Sequence, residues 1–570
     1  MEATQADGGA GAGILPLQVR FRRGVLRWAA SFGFGGLVVG WIFLNLSMTP
    51  SLLPRGPLLQ GILSGIATAF GYGIGVGLLA IWRYLELPEP PKHRRPLIRR
   101  IVFAALAVAT IWYMAHLVDW QNNLRRIFGM DRVNDITFAV VVVLIALVVA
   151  VLLIALSRLI ARVVRRFARW GSQLVPRRVG RVLGFAVGIA LVVFLVNGVL
   201  LDSLVGAAQQ AFSIQNGRHE AGVDQPTSPL RSGSPESLAT WDSLGQPGRK
   251  WVARGPTAEQ INGYSGGGAT EPIRVYIGLD SADSVEERAD LALEELKRTG
   301  AFDREVLVIA TSTGSGGIDP NGTRAIEYMH NGDTAIAGFQ YSYLPSWISY
   351  FVDQASAKEA STTFFETIHD HWRELDPDER PDLYLFGVSL GSFGSEASSA
   401  SIRSAGAPIN GAVWAGPTFM NEQWVLATRN RDAGSPAWLP VYDDGRVIRF
   451  TNGTAPTVDS GGDWGETRVV YIQHPSDPVS FFSFDLLLEE PEWLSGERSP
   501  ETSPDMNWYP GVTFWQVALD LPTGGGVPPG FGHNMGIPAY VAAWAGVSEP
   551  PGWTPERADQ LEQHLDGIEP

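Results

Sequence analysis

Leu383-Tyr384-Leu385-Phe386 leads directly into Gly387-Val388-Ser389-Leu390-Gly391, and a small-residue stretch with Ser392, Gly394, Ser395 and Ala397 follows. Four consecutive apolar residues read as a strand buried on both faces. The stretch Ser392–Ser404 reads as a helix. A G-x-S-x-G pentapeptide between a strand and a helix is the pattern of a nucleophile elbow, whose strained turn exposes the serine hydroxyl. The glycines are needed because the strand and helix backbones pass close together there. Ser389 then projects at a helix N-terminus, where partial positive charge favours a developing oxyanion.

Working outward, Ile273–Leu279, Val306–Ala310, Asp382–Phe386, Gly411–Ala415 and Arg468–Ile472 read as strands. Val285–Arg298 reads as an amphipathic helix carrying Leu291, Leu293 and Leu296. Strands alternating with helices imply a mostly parallel sheet covered on both faces. Ligands on such sheets sit beyond the carboxyl ends of the strands.

An elbow serine needs a base and an acid, in the chain order serine, acid, histidine. Asp477 follows the strand Arg468–Ile472 in Gln473-His474-Pro475-Ser476-Asp477-Pro478-Val479, on a loop at a strand's carboxyl end. There a carboxylate can hold the Nδ1–H of an imidazole and stabilise the imidazolium. Asp485 is the nearest rival and lies further into an apolar run. Of nine histidines, only His533 stands in a glycine-rich loop downstream of both partners, Gly530-Phe531-Gly532-His533-Asn534-Met535-Gly536. The oxyanion hole needs two backbone N–H groups. Leu390, just after the serine, is one; the other comes from Thr313 or Gly314 in the loop Thr311-Ser312-Thr313-Gly314-Ser315-Gly316-Gly317. No Gly-Lys-Ser/Thr follows that loop, so it is not a phosphate cradle.

His369-Asp370-His371 lies within the helical pattern Ala360–Leu375, where alternation splays the two imidazoles apart; both are expected at the surface rather than on a metal. The stretch Tyr341-Ser342-Tyr343-Leu344-Pro345-Ser346-Trp347 reads equally as core packing or as the wall of an acyl pocket. Cysteine is absent, which removes disulfide scaffolds, thiolate metal sites and cysteine nucleophiles together. No metal or cofactor is expected.

The net charge of −14 conceals a split. Residues 1–201 carry 22 Lys and Arg against 7 Asp and Glu, or +15, and the rest of the 570-residue chain carries −29. Two parts in different surroundings are implied, and the acidic part disfavours nucleic acid as a partner. Five apolar stretches in the basic part are long enough to cross a bilayer, at about 20 residues each. They run from Ala29 to Leu46, Leu58 to Trp82, Ile101 to Val118, Ile136 to Leu156 and Val179 to Leu201. Their connecting segments hold 18 Lys and Arg on one side and 4 on the other. The basic side is cytoplasmic, so the N-terminus lies inside and everything after Asp202 outside. Gly61, Gly65, Gly71, Gly73, Gly75 and Gly77 in the second stretch read as helix packing. His116 and Asp119 end the third near the interface and argue only weakly for a proton path.

The expected organisation is a cytoplasmic N-terminus over 1–28, a five-span domain over 29–201, a tether over 202–270 and a catalytic domain over 271–570. The tether is assigned from its Gly, Pro and Ser content between Gly217 and Gly268, with Trp241 and Trp251 packing down on something.

Taken together, these motifs resemble the bacterial membrane-anchored α/β-hydrolase family, typical of actinobacteria, with a transmembrane N-terminal domain and an α/β-hydrolase catalytic domain. The N-terminal resemblance rests on Leu46-Ser47-Met48-Thr49-Pro50-Ser51-Leu52-Leu53-Pro54-Arg55 and Gln60-Gly61…Gly71-Tyr72. The catalytic resemblance rests on Trp241-Asp242-Ser243-Leu244-Gly245, Pro272-Ile273-Arg274-Val275-Tyr276, Tyr341–Trp347, Gly387–Gly391, His474–Val479 and Gly532-His533. It implies Ser389, Asp477 and His533 as a triad, as the residues themselves suggest. The chain departs from the resemblance at Gly317-Ile318, where relatives tend to carry an aromatic. The expectation is a membrane-bound serine hydrolase acting on lipid or cell-envelope esters, with its site outside the membrane. Acyl transfer by the same residues and a non-catalytic, lipid-handling role are the alternatives.

Overall fold

The structure is a computed structural model that describes residue 28 and residues 31–133, 137–171, 202–399, 408–453 and 461–568. Seven strands build the sheet domain: β1 Ile273–Ile277, β2 Val306–Thr311, β3 Thr334–Phe339, β4 Asp382–Val388, β5 Gly411–Ala415, β6 Ile448–Thr451 and β7 Arg468–Ile472. They form one sheet in the order β1-β3-β2-β4-β5-β7-β6. Every neighbouring pair is parallel. The apolar runs β1, β2, β3 and β5 are buried along their whole length. Helices cover both faces, as parallel sheets require. Two strands escape the sequence reading. β3, Thr-Ala-Ile-Ala-Gly-Phe, has few large apolar side chains and carries Gly338, and β6 has only four residues, Ile-Arg-Phe-Thr.

The segment expected to be a tether is instead part of this domain. Asp202–Asn216, Gly245–Ala253 and Ala258–Ser265 are helices. Leu244, Trp251, Val252 and Ile261 are buried in the main core. Leu230 and Ser232 hydrogen-bond the backbone of Arg274 on the edge strand β1, and the Ser232 hydroxyl accepts from the Tyr276 N–H at 2.9 Å. An uncovered strand edge invites aggregation, and this segment seals it. Arg274 fixes the junction from within β1. Its guanidinium donates to both oxygens of Glu327 and to the Trp251 carbonyl, with none of the ion pair exposed. Gly and Pro content signalled turns correctly, but it could not show that the turns are stapled to the sheet.

The basic part contains helices Phe34–Leu46, Pro57–Tyr84, Arg95–Ile127 and Thr137–Gly171. The last three are long and apolar enough to cross a membrane. The first expected span is a helix of 13 residues, shorter than the roughly 20 residues a bilayer needs. It starts after Gly33 and ends at the turn Ser47-Met48-Thr49-Pro50. The fifth expected span, Val179 to Leu201, lies outside the described residues. The glycine stripe is used for packing. A Cβ on Gly61 or Gly65 would strike Ile145 or Val149, and one on Gly71 or Gly75 would strike Phe43 or the Gly35 carbonyl. Gly73 and Gly77 instead face open space.

The two parts are joined by more than the chain. The loop after the first helix, Ser47 to Arg55, packs against the sheet domain's helix Val512–Asp520 through a buried ion pair, Arg55 Nε to Asp520 Oδ1 at 2.7 Å. Phe70 meets Trp515, and Phe128 meets Phe531.

Candidate active site

Ser389 sits where β4 turns into the helix Leu390–Ser399, with φ +57°, a conformation an L-residue adopts only under constraint. The turn explains the flanking glycines. A Cβ on Gly387 would lie 2.3 Å from the Gly391 carbonyl oxygen, and one on Gly391 would lie 2.4 Å from that of Thr311. No larger residue fits at either place. The Ser389 N–H donates to the Ala415 carbonyl at 2.9 Å, tying the elbow to the end of β5. The Leu390 N–H is the first donor of its helix, one of those a helix leaves without an internal acceptor.

Asp477 is fully buried at the start of the short helix Pro478–Phe481. One carboxylate oxygen accepts from the Val479 N–H at 2.8 Å; the other lies 3.3 Å from Ser480 Oγ and 2.7 Å from His533 Nδ1. A carboxylate only accepts, so Nδ1 carries the proton and Nε2 keeps its lone pair. Burial pulls the imidazole below its ordinary value, but the charge and hydrogen bond of Asp477, helped by Asp319, hold it above. Asp319 is half-buried at the N-terminus of the helix Pro320–Met329 and accepts from Tyr540 at 2.9 Å.

Further contacts hold His533 and its loop in place. Its N–H donates to the Gly524 carbonyl at 2.8 Å. The preceding residue, Gly532, donates to Ser476 Oγ at 2.9 Å and accepts from His474 Nδ1 at 3.0 Å. Gly416, at φ +53°, lies against the ring: a Cβ there would be 2.4 Å from Cε1 and 2.7 Å from Nδ1. The Ala415–Gly416 unit thus touches the elbow on one side and the imidazole on the other. Among the described residues Ser389 Oγ makes no hydrogen bond to His533. Such bonds are commonly loose until substrate binds.

The loop after β2 is less open than its glycines suggest. The Thr313 N–H is taken by the Gly317 carbonyl at 2.8 Å, whereas the Gly314 N–H makes a longer bond, 3.3 Å, to Ser346 Oγ. Of the two candidate donors Gly314 is the more weakly held. Ser346 belongs to the aromatic stretch after β3, which abuts this loop. Within that stretch Tyr341 is core, and Tyr350, just beyond it, joins the apolar cluster around Leu390.

Several neighbours have no signature in sequence. Gly416, Gly524 and Asp319 come to the site only through tertiary approach. Glu501 is buried and accepts from both the N–H and the hydroxyl of Ser476, beside Asp477. Burial pushes its carboxyl up to about 7. His369, expected at the surface, is buried between Phe365 and Trp372, while His371 packs edge-on against Phe302. The reason is that the helix Gln354–Glu374 turns the His369 face toward the core. Among the described residues no three His, Asp or Glu side chains are placed to hold a metal ion.

Residues 273–561 match a family model described as an alpha/beta-hydrolase family, and residues 48–256 match one described as the N-terminus of an alpha/beta-hydrolase family. Searches of curated proteins and of solved structures returned no match.

Proposed function

From the premise that the chain belongs to the α/β-hydrolase family, we propose that it is a membrane-anchored serine hydrolase that cleaves carboxylic esters through an acyl-enzyme. The observation that carries this reading is the 2.7 Å contact between Asp477 and His533 beside the strained Ser389 turn. His533 Nε2 takes the proton from Ser389 Oγ as the oxygen attacks the ester carbonyl. Asp477 holds the ring in its Nδ1–H tautomer and stabilises the imidazolium. The tetrahedral oxyanion is held by the Leu390 N–H and by the loop after β2, where Gly314 gives up its bond to Ser346. The imidazolium then protonates the leaving alcohol, and water, activated by the same ring, releases the acid.

Lipid or cell-envelope esters are the proposed substrates. Leu390, next to the nucleophile, lies in an apolar cluster with Phe481, Phe482 and Val527, and with Leu53 and Phe128 of the N-terminal part. Leu78, Ile81, Ile111, Leu144 and Leu152 are exposed on the long helices, which suits a lipid surrounding. The excess of Lys and Arg in the connecting segments supports a cytoplasmic N-terminus and a hydrolase site outside the membrane. Turnover of p-nitrophenyl esters of increasing acyl length by the detergent-purified protein tests the substrate class. A preference for long chains supports it, and a preference for acetate contradicts it.

A further inference from the structure

The N-terminal part does more than touch the sheet domain: it grips the two segments that hold His533. Asp520 has both carboxylate oxygens engaged from that side, Oδ1 by Arg55 Nε at 2.7 Å and Oδ2 by Ser51 Oγ at 2.6 Å. Arg55 also donates to the Gln516 carbonyl at 2.7 Å, and Gln516 Nε2 donates to the Thr49 carbonyl at 2.9 Å. Gln121 fixes the base of the loop by accepting from the Arg55 N–H at 2.8 Å. Neither side chain of the ion pair is exposed. Two charges withdrawn from water are costly unless their geometry and remaining hydrogen bonds are satisfied, and here they are. A simple anchor has no use for such a contact.

Asp520 ends the helix Val512–Asp520, and the next turn, Leu521–Gly526, contains Gly524. Thr523 Oγ donates back to the Asp520 carbonyl at 3.0 Å. Gly524 in turn accepts the His533 N–H and packs on the His533 Cβ. From the other side Leu53 Cδ2 lies 3.3 Å from where a Gly532 Cβ would stand, and Phe128 meets Phe531 with ring centroids 4.8 Å apart. The histidine loop is therefore held between the sheet domain's own turn and the N-terminal part.

Resting on the reading of His533 as the base, we propose that Arg55 and Leu53 are positioning residues for His533, so that the hydrolase site is complete only while the N-terminal part is docked. They touch no reacting atom. They act through Asp520 and Gly524, and through Gly532.

The test uses the full chain in detergent with a short, soluble ester, so that lipid delivery plays no part. Leu53→Ala removes the packing on Gly532 without stranding a charge. Arg55→Gln combined with Asp520→Asn replaces the ion pair by neutral partners. Turnover is expressed per serine titrated by a fluorophosphonate, which corrects for any misfolded fraction. Both proteins are expected to lose on the order of tenfold or more in kcat, with KM little changed, because a displaced base weakens the chemical step rather than binding. Arg55→Lys, which keeps the charge, is expected to recover part of the loss relative to Arg55→Gln. Tyr72→Phe, which removes a hydrogen bond from Arg158 inside the N-terminal part and away from the docked loop, should leave kcat unchanged. A wild-type kcat per titrated serine in Leu53→Ala and in the paired variant would overturn the proposal, even if both melt at lower temperature. Full turnover by Ser389→Ala would overturn the reading on which it rests, and is distinguished because it needs no N-terminal substitution.

Discussion

Gly416→Ala is a severe test of where the imidazole stands. The added methyl would lie 2.4 Å from His533 Cε1, 2.7 Å from Nδ1 and 2.9 Å from Met535 Cε. Reaching an ordinary contact of about 3.4 Å requires the ring to retreat by about 1 Å. A ring so displaced cannot keep both its 2.7 Å bond to Asp477 and its approach to Ser389. Misplacement of that size costs on the order of 100-fold in rate, or about 2.7 kcal/mol in the barrier. The φ of +53° adds backbone strain of about 1 kcal/mol for any residue with a Cβ, which appears as a modest loss of thermal stability. Gly434→Ala separates the two effects. It sits at φ +92° with nothing within 4 Å, so it carries the strain without the collision and should retain full activity. Steady-state turnover of a short ester, with melting followed by circular dichroism, reads both. Wild-type kcat in Gly416→Ala would refute the placement of His533 as the working base.

The site makes further predictions. Because Asp477 holds the His533 imidazole above its ordinary 6.5, kcat/KM should fall as pH drops through a value above 6.5, where the base becomes protonated. Asp477→Asn should move that midpoint down and cost on the order of 10⁴-fold in kcat; an unmoved midpoint would mean another group titrates. Glu501 sits at about 7 against an ordinary 4.5. The folded state therefore keeps its proton longer than the unfolded chain, and stability is lost as pH rises from 4.5 to about 7, by about 3 kcal/mol. Glu501→Gln, which still accepts from Ser476, should melt higher than wild type at pH 8 and no higher at pH 4. The opposite ordering would place the Glu501 charge in the folded state.

How much of this was legible in the sequence depended on whether the cause was local. The elbow is local: the strand Asp382–Val388, the turn at Ser389 and the helix from Leu390 follow from an apolar run, two glycines and small residues. The partners Asp477 and His533 could be singled out because chain order and elimination left few rivals, and the fold brings them within 2.7 Å. Gly416 and Gly524 are ordinary loop glycines until β5 and the 521–526 turn are brought against the imidazole. The segment 217–268 looked like a tether because Gly, Pro and Ser report turns and not what the turns pack on; only the Arg274–Glu327 pair and the β1 edge give it a place. Hydropathy found the long helices, yet it overran the first, where Gly33 and Pro50 bracket 13 helical residues. Hydropathy also gave no sign that Arg55, an isolated charge between apolar helices, is bound to Asp520 in the sheet domain.

The most direct measurement is fluorophosphonate labelling and ester turnover of the detergent-purified chain beside its Ser389→Ala variant. The account predicts stoichiometric labelling and turnover in the wild type, with both lost in the variant and turnover reduced by on the order of 10⁴-fold or more. Equal labelling of the two proteins, or a folded wild type that neither labels nor turns over any ester, would contradict it.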